Sequence, residues 1–264
     1  MFVEQVGAVI REVGAAEVVP RFRALATEDI MEKSPGDLVT IADQECERVL
    51  TERLTQVRDV PVVGEEAATA DPSLLDVVAQ APACWIIDPI DGTSNFVEGN
   101  PNFAVIVAYV ENGTTETAWI WHPETDSLLS AERGGGVHDN GHPLAAPTRT
   151  MPPQGILKSW RMGKAAHDYL HQLPAEMGQV LPALGCAAME YSALVRGEID
   201  FLLYWRTLPW DHAAGALLVA EAGLTVARPD GSPYEPGDGR SGIFSAVPET
   251  WNRIAPEIQA ALLR

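Results

Sequence analysis

The segment WIIDPIDGTSNFVEG (85–99) decides the fold, because in it a short apolar run leads straight into a tight turn that carries two acidic residues. The apolar run predicts a buried strand that stops at Asp88 and Pro89, since proline keeps the chain out of a helix just after the strand. Asp88 and Asp91 then lie three residues apart across the turn. We therefore expect both side chains, and the carbonyl of Ile90 between them, to serve together as ligands.

Gly92 and Thr93 extend the same segment with groups that suit an anion. Their backbone N–H groups are exposed where the next stretch of chain begins, and N–H groups in such a position are a ready site for a phosphate. The Thr93 hydroxyl adds a group that can orient a water molecule. One segment thus supplies metal ligands, a phosphate cradle and a hydroxyl that holds water.

Two further acidic residues stand where an apolar element begins or ends, namely Glu65 in VPVVGEE (60–66) and Asp211 in PWDHAAGALLVAEAG (209–223). Strand ends and helix starts face the crevice of a layered fold, where ligands bind. Four carboxylates in one crevice repel one another and raise one another's pKa values, and divalent cations remove that conflict. An all-oxygen ligand set without His or Cys favours Mg²⁺, Mn²⁺ or Ca²⁺ over zinc.

Each of these residues also has an ordinary structural interpretation. D-P-x-D-G is typical of a surface turn, and Glu65 follows a strand as a solvated loop residue does. Asp211 and Asp43 stand where the N-cap of a helix is expected. Surface turns and caps have no reason to occur in this order and combination, so the joint pattern favours the metal site.

The rest of the chain alternates helix and strand patterns in groups, which predicts a layered α/β or α+β fold. Apolar residues at three- and four-residue steps predict helices over 2–30, 43–56, 164–173, 187–195, 210–222 and 249–263. Apolar and β-branched runs predict strands over 60–63, 85–87, 103–109, 115–121, 128–131, 201–204, 224–227 and 242–247. Residues 33–37 and 67–82 are predicted as loops, the second with room for one helical turn.

Prolines punctuate residues 145–182, which makes this segment the predicted boundary between two lobes. The N-terminal lobe (1–144) carries most of the candidate metal ligands. The C-terminal lobe (145–264) carries Asp211.

The composition excludes several classes of function. The 264 residues include 18 Lys+Arg against 37 Asp+Glu, a net charge of −19, whereas nucleic-acid polymers are bound by clustered basic residues. No apolar run approaches the ~20 residues that span a bilayer, and the N-terminus lacks the basic start of a signal peptide, so we expect a cytoplasmic protein that does not bind membranes. Three Cys without a CxxC motif indicate neither a disulfide framework nor a zinc site.

Three motifs resemble the signatures of the inositol monophosphatase family: GEE (64–66), WIIDPIDGTSNFVEG (85–99) and WDHAAGALLVAEAG (210–223). The early segment EKSPGDLVTIADQE (32–45) and the hairpin with Pro123, Asp126 and Gly134–Gly136 are similar too, so the resemblance runs nearly end to end. It implies an αβαβα layered sandwich, a homodimer, and a lithium-sensitive phosphatase that uses two to three Mg²⁺ ions, with Mn²⁺ as an alternative.

The resemblance also implies a role for each motif residue. The first metal ion is implied to bind Glu65, Asp88 and the Ile90 carbonyl, the second Asp88, Asp91 and Asp211, and a third, weaker ion Glu65 and waters. Glu65, Thr93 and Asp43 are implied to position and activate the attacking water. Substrate contacts are implied for Asp91, Gly92, Thr93, Gly185, Ala187 and Asp211.

The second lobe departs from the family pattern. Family members specific for inositol phosphate usually have an acidic residue shortly before the WD motif, and here Tyr204 falls near that place. Residues 183–188 match a Gly-x-Ala-Ala turn but lack the Ser often found before it. Arg206 is either a contact for a second anionic group or a surface arginine, and His122 and His212 are expected to be packing or capping residues.

These differences leave the leaving group of the substrate open. The favoured substrate is inositol monophosphate or a related small polyol or sugar phosphate. The alternatives are a 3′-phosphoadenosine 5′-phosphate nucleotidase and a histidinol-phosphate phosphatase. From another class, a non-catalytic metal-binding interaction protein would retain the scaffold; loss of a carboxylate would favour it, and none is missing.

Overall fold

The computed structural model describes residues 2–147, 152–174 and 176–264. The chain begins with helix α1 (Phe2–Glu17), then an antiparallel hairpin of β1 (Ile30–Ser34) and β2 (Asp37–Thr40), then helix α2 (Ile41–Val57). Thr40 caps α2 by accepting the N–H of Ala42, and the Asp43 side chain accepts the N–H of Thr40 in return. This reciprocal pair is a capping box, so Thr40 takes the N-cap position where Asp43 was expected.

The larger sheet has seven strands in the described part of the chain. In spatial order they are β3 (Val62–Gly64), β4 (Ala83–Asp91), β5 (Ala104–Glu111), β6 (Thr114–His122), β7 (Ser127–Glu132), β8 (Val137–Asp139) and β9 (His142–Pro143). Strands β3 and β4 are parallel, and the following neighbours pair antiparallel. Short helices α3 (Glu65–Ala70) and α4 (Leu75–Gln80) connect β3 to β4, and α5 (Thr93–Val97) follows β4.

The smaller sheet has five strands among the residues described after position 151. They are β10 (Gln154–Lys158), β11 (Gln179–Val180), β12 (Phe201–Tyr204), β13 (Thr225–Ala227) and β14 (Ile243–Ala246), in the spatial order β11-β10-β12-β14-β13. The helices of this half are α6 (Lys164–Leu170), α7 (Ala187–Val195), α8 (Pro209–Glu221) and α9 (Pro248–Ala261).

The buried side chains divide the molecule into alternating helix and sheet layers. Helices α1 and α2 cover one face of the larger sheet, where Trp85 and Ile87 point. Helices α7 and α8 cover the other face, where Ile86 points, and they also contact the smaller sheet. Helices α6 and α9 cover the outer face of the smaller sheet around Leu203 and Phe244. The predicted αβαβα layered sandwich is confirmed.

Most of the predicted elements agree with the structure to within two residues, and α7 and β12 agree at both ends. The helix predicted over 2–30 is wrong beyond Glu17. Two β-branched residues and Pro20 follow there, and proline ends a helix because it lacks an N–H and clashes with the preceding turn. The loop predicted at 33–37 is the turn of the β1–β2 hairpin, where Gly36 has φ +80°.

Other differences arise from contacts between distant parts of the chain. The strand expected to stop at Asp88 continues to Asp91, because Asp91 still pairs with Ala104 of β5. The register of this pairing shifts between the two aspartates. The expected loop 67–82 contains helices α3 and α4. Strand β10 was not predicted, since it forms by pairing with β12, and local pattern does not show such a partner.

The two sheets fall on either side of the predicted lobe boundary. The larger sheet ends at Pro143 and the smaller one begins at Gln154. Helices α7 and α8 nevertheless pack against both sheets, so the division into 1–144 and 145–264 stays a prediction. Residues 148–151 and 175 of the predicted boundary segment lie outside the described residues.

No helix in residues 2–147, 152–174 and 176–264 combines the length and the apolar character that a bilayer crossing requires.

Helix α8 packs against α7 through Gly215, and this contact gives the first prediction. A Cβ at Gly215 would lie 2.2 Å from Cδ2 of the Tyr191 ring, which is fully buried. Alanine is favoured over glycine in a helix by ~1 kcal/mol, but the overlap costs about 1–3 kcal/mol. We expect Gly215→Ala to lower the free energy of unfolding in urea.

The control is Ala220→Gly, at an exposed position of the same helix, which measures the helix-propensity contribution alone. A Gly215→Ala protein as stable as the wild type would show that α7 and α8 are not held this closely.

Candidate functional site

The structure places the predicted carboxylates around one cavity of about 170 Å³. Its walls come from the end of β4, the first residues of α3, α5 and α8, and the β1–β2 turn. The predicted site residues that line it are Glu65, Asp88, Ile90, Asp91, Gly92, Thr93, Gly185 and Asp211. Asp43 reaches the cavity wall through Thr93, whose hydroxyl lies 3.1 Å from Asp43 Oδ1. Ala187 is not among the lining residues.

The turn after β4 has the shape that brings its two aspartates together. The register with β5 shifts between Asp88 and Asp91, so the strand bulges at this point. Gly92 then has φ +87°, and a Cβ there would lie 2.8 Å from the carbonyl oxygen of Asn102. Only glycine fits both the left-handed backbone and the close approach.

The carboxylates are close enough to act on one another. Burial raises the pKa of Asp88 well above its usual range, and the charges of Glu65 and Asp91 raise it further. Burial and the charge of Asp91 likewise raise the pKa of Asp211, well above its usual range. Because such interactions weaken with distance, the acidic side chains at the ends of β3, β4 and α8 converge on the cavity.

A buried oxygen of Asp88 is the atom of this site that a cation would satisfy. Asp88 is 1% exposed, and its Oδ1 has no hydrogen-bond partner in the described residues. A buried, unpaired carboxylate oxygen is costly, and a hard divalent cation satisfies it with oxygen ligands. The residues around the cavity therefore fit a metal ion in the type of donor that they offer.

The side chains are not arranged around an ion. No three His, Cys, Asp or Glu side chains of the described residues are spaced to hold a metal as they stand. Asp91 Oδ2 accepts the N–H of Ala188 at 2.5 Å and lies 3.1 Å from the Cys186 thiol, and Glu65 pairs with Lys33. Metal binding therefore requires these carboxylates to turn from their protein partners toward the ion.

Asp43 and Thr93 form a polar pair at the edge of the cavity. Asp43 Oδ2 accepts the N–H and the hydroxyl of Thr40 at 2.8 and 2.5 Å, and its Oδ1 faces the Thr93 hydroxyl. Burial raises the pKa of Asp43 to about 6, although the hydrogen bonds from Thr40 lower it. The Thr93 hydroxyl also lies 3.0 Å from the Ile90 carbonyl, and with one proton it donates to one of these acceptors at a time.

Lys33 is a site residue that sequence reasoning missed. Its ammonium donates to Glu65 Oε1 and Glu66 Oε1 at 2.9 Å each, from strand β1. Burial by itself lowers the pKa of Lys33, but the charge and hydrogen bond of Glu65 outweigh it and raise the pKa above the usual range. The hairpin thus places a positive charge at the acidic cavity, and this contact joins two segments that no local pattern relates.

Glu47 is a second residue that was missed. It is buried in α2, and its carboxylate accepts the N–H groups of Glu66 and Ala67 at 2.8 and 2.9 Å. These amides lie in the first turn of α3, where N–H groups have no partner inside the helix, so Glu47 fixes the turn that carries Glu65. Its spacing four residues after Asp43, on the same helix face, was the available signal.

The loop before α7 closes the other side of the cavity. Asn95 Nδ2 donates to the carbonyls of Asn102 and Leu184 at 2.8 and 2.9 Å, which ties the loop to the turn after β4. Gly185 has φ +76°. Cys186 caps α7 and contacts Asp91, and burial raises the pKa of its thiol well above the usual range.

Asp211 also lines a second cavity of about 170 Å³. The residues that share this cavity with Asp211 are Lys158, Trp160, Arg161, Tyr204, Trp205 and Arg206. Asp211 is the third residue of α8, whose N-cap position is Leu208, so the expected N-cap role of Asp211 is wrong. Tyr204, which falls near the place where an acidic residue was expected, is buried and donates its hydroxyl to Glu190.

His122 and His212 are buried packing residues, as expected. His122 Nε2 lies 2.7 Å from the Ser192 hydroxyl. His212 Nε2 donates to the Arg206 carbonyl at 3.0 Å, so its Nδ1 accepts the Tyr191 hydroxyl at 3.1 Å. Burial lowers the pKa of His212 to about 3, which keeps the ring neutral.

Comparison with known proteins gives consistent matches. A model of the inositol monophosphatase family matches residues 4–262. The chain is similar to an inositol-1-monophosphatase of Rhizobium meliloti, 33% identical over 235 residues, which cover 85% of this chain and 86% of the relative. It is also similar to a fructose-1,6-bisphosphatase/inositol-1-monophosphatase of Thermotoga maritima, 31% identical over 201 residues, 75% of each chain. A solved Thermotoga maritima IMPase structure superposes with a TM-score of 0.79 at 25% identity, covering 97% of this chain and 96% of that one.

The role of Glu47 gives the second prediction. In Glu47→Gln, the side-chain amide turns an N–H donor toward one of the two α3 amides, and losing one buried hydrogen bond costs about 1–3 kcal/mol. We expect a lower free energy of unfolding and faster hydrogen exchange at the amides of Glu66 and Ala67. Glu45→Gln removes a surface ion pair with Arg48 on the same helix and serves as the control. Unchanged exchange at both amides in Glu47→Gln would contradict this role.

Proposed function

The chain belongs to the inositol monophosphatase family, and from this premise we propose that it is a phosphoric monoester hydrolase that cleaves inositol monophosphate or a related small polyol or sugar phosphate with Mg²⁺. The single observation that carries the proposal is the buried Asp88, whose Oδ1 has no hydrogen-bond partner in the described residues and whose neighbours around the cavity are acidic. A structural carboxylate in such a place would be paired or hydrogen-bonded. The unpaired oxygen of Asp88 is therefore a donor that a cation would satisfy.

The family pattern assigns a ligand set to these residues. Glu65, Asp88 and the Ile90 carbonyl would hold one ion, and Asp88, Asp91 and Asp211 a second. A third, weaker ion would use Glu65 and waters. The oxygen donors favour Mg²⁺, with Mn²⁺ as the alternative. When bound, such ions activate a water and neutralise the charge of the transferred phosphoryl group.

The protein groups around the ligand set would position the reactants. Thr93, held against Asp43, would orient the attacking water together with Glu65. The backbone N–H groups of Gly92 and Thr93 would hold the phosphate oxygens. Gly185 also lines the cavity, so a bound ester would lie near the loop before α7. Positioning and charge stabilisation account for most of the catalysis in phosphoryl transfer.

Water is favoured over a protein nucleophile. The thiol beside the cavity, Cys186, is buried and its pKa is raised well above the usual range. A thiol is nucleophilic only as the thiolate. Its contact with Asp91 is therefore a structural one.

The alternative substrates remain within the same chemistry. A 3′-phosphoadenosine 5′-phosphate or a histidinol phosphate would place its leaving group near Trp205 and Arg206, which line the second cavity. A non-catalytic metal-binding role is disfavoured, because Glu65, Asp88 and Asp211 all line the acidic cavity. Homodimer formation, lithium sensitivity and a cytoplasmic location stay predictions.

The third prediction concerns Asp88→Asn. We expect kcat/KM for a small phosphate ester to fall by more than ~100-fold, since even partners of metal ligands contribute 10–100-fold. In metal-free buffer the same variant should unfold no more easily than the wild type, because the substitution removes a buried, repelled carboxylate. Phosphate release and urea unfolding measure the two effects.

Asp76→Asn, on the exposed surface of α4, makes the same change of charge and should leave both quantities near the wild-type values. An Asp88→Asn protein that still releases phosphate at the wild-type rate would refute the metal assignment.

The fourth prediction concerns the metal itself. Saturating Mg²⁺ should raise the thermal midpoint, because a ligand at a hundred times its dissociation constant stabilises by ~2.7 kcal/mol. NaCl at matched ionic strength is the control. Activity should disappear in excess chelator, return with Mg²⁺ and fall with added Li⁺. Full turnover in chelator would contradict the proposal.

A further inference from the structure

The second cavity adjoins the acidic one through Asp211, which lines both. The leaving group of an ester whose phosphate lies in the acidic cavity would therefore reach the second cavity past Asp211. Each of the two has a volume of about 170 Å³, which is room for a small group rather than a large one. The side chains of the second cavity thus face the part of the substrate that sequence comparison leaves open.

The second cavity is basic in a protein that is strongly acidic. Of the 18 basic residues in a chain of net charge −19, three line this one cavity: Lys158, Arg161 and Arg206. Arg161 and Arg206 are exposed, and neither forms an ion pair with a carboxylate of the described residues. Most other arginines are paired, as Arg48 and Arg228 are. Cations without counterions, gathered in one place, are typical of an anion site.

Lys158 retains hydrogen-bonding capacity despite its acidic neighbour. The ammonium lies 3.6 Å from Glu190 Oε2, beyond the usual length of an N–H···O bond, and 4.8 Å from the centre of the Tyr204 ring. Glu190 is already used, since it accepts the Leu184 N–H at 2.8 Å and the Tyr204 hydroxyl. The ammonium therefore keeps hydrogen-bond donors for a ligand in the cavity, although its charge is close to that of Glu190.

The aromatic wall supports the same conclusion. Trp160 is 61% exposed, which is unusual for so large an apolar side chain. The Arg161 guanidinium lies 4.4 Å from the centre of its ring, a stacking contact that orients the guanidinium. Trp160 thus holds the Arg161 guanidinium in place beside the cavity, where it can bind an anionic group.

We propose that this cavity, with Lys158, Arg161 and Arg206, binds a second anionic group on the leaving group of the substrate. This rests on the proposed function, which it deepens by naming the class of ester: a phosphomonoester whose leaving group carries another phosphate or a carboxylate. A leaving group with hydroxyls alone would leave Arg161 and Arg206 without an anionic partner among the described residues, with only Lys158 close to a carboxylate, that of Glu190. Charge-assisted hydrogen bonds to an anion are about twice as strong as those to neutral acceptors.

Ligand binding without turnover tests the inference. The Mg²⁺-loaded protein is titrated calorimetrically with propylphosphonate and with a series of unbranched bisphosphonates of three to six carbons, whose P–C bonds are not hydrolysed. We expect the best bisphosphonate to bind about tenfold or more tightly than propylphosphonate. Arg206→Gln should remove most of that advantage, and should weaken propylphosphonate by a smaller factor. The Arg206 side chain is exposed, so this variant is expected to fold.

Arg253→Gln is the matched control, since Arg253 lies on α9, outside both cavities, and the net charge changes equally. Equal affinity for mono- and bisphosphonates, failure of both to bind, or an equal loss of both in Arg206→Gln would overturn the inference. Hydrolysis of phosphate esters alongside such a result would leave the proposed function intact. A bisphosphonate advantage that depends on Arg206, in a protein that releases no phosphate from any ester with Mg²⁺, would support the cavity and refute the proposed function.

Discussion

The mutual repulsion of buried carboxylates is the constraint on which the rest of this structure depends. Asp88, Asp91 and Asp211 each have a pKa raised first by burial, and acidic neighbours add to the effect for Asp88 and Asp211. Like charges held together in a poorly solvated place destabilise the folded chain, so packing elsewhere must hold them there. The packed apolar layers supply that packing. A bound cation would offset the repulsion, because the carboxylate oxygens would then bind the ion.

The layers also explain why the acidic residues meet where they do. The helix layer of α7 and α8 lies between the two sheets, and Asp211 enters the crevice from the first turn of α8. The larger sheet supplies Asp88 and Asp91 from the end of β4. Contacts such as Gly215 against Tyr191 set the spacing of the central helices. The site is therefore built across layers, and no single layer contains it.

Sequence reasoning succeeded where the chemistry is local and failed where it depends on distant partners. Most helices and strands follow from periodicity, and the acidic residues at element ends follow from the turn DPIDGT (88–93) and the neighbouring apolar runs. The αβαβα order of the layers was implied by the family resemblance. The contacts of Lys33 with Glu65 and of Asn95 with Leu184 join segments far apart in the chain. Strand β10 likewise needs β12 as its partner. Glu47 is intermediate, since its spacing from Asp43 was visible but its contact with α3 was not.

Asp211 stands at the junction of opposite electrostatic environments. Burial raises its pKa and the charges of Asp91 and Glu65 raise it further, whereas the charges of Arg206 and Lys158 lower it. One side of this residue therefore suits cations and the other suits anions. A ligand that spans both cavities would meet any bound cations at one end and basic side chains at the other. A molecule with an anionic group at each end would satisfy both environments. A neutral leaving group satisfies only the first environment, so selectivity between esters would arise beyond Asp211, in the part of the chain where the family motifs are least faithful.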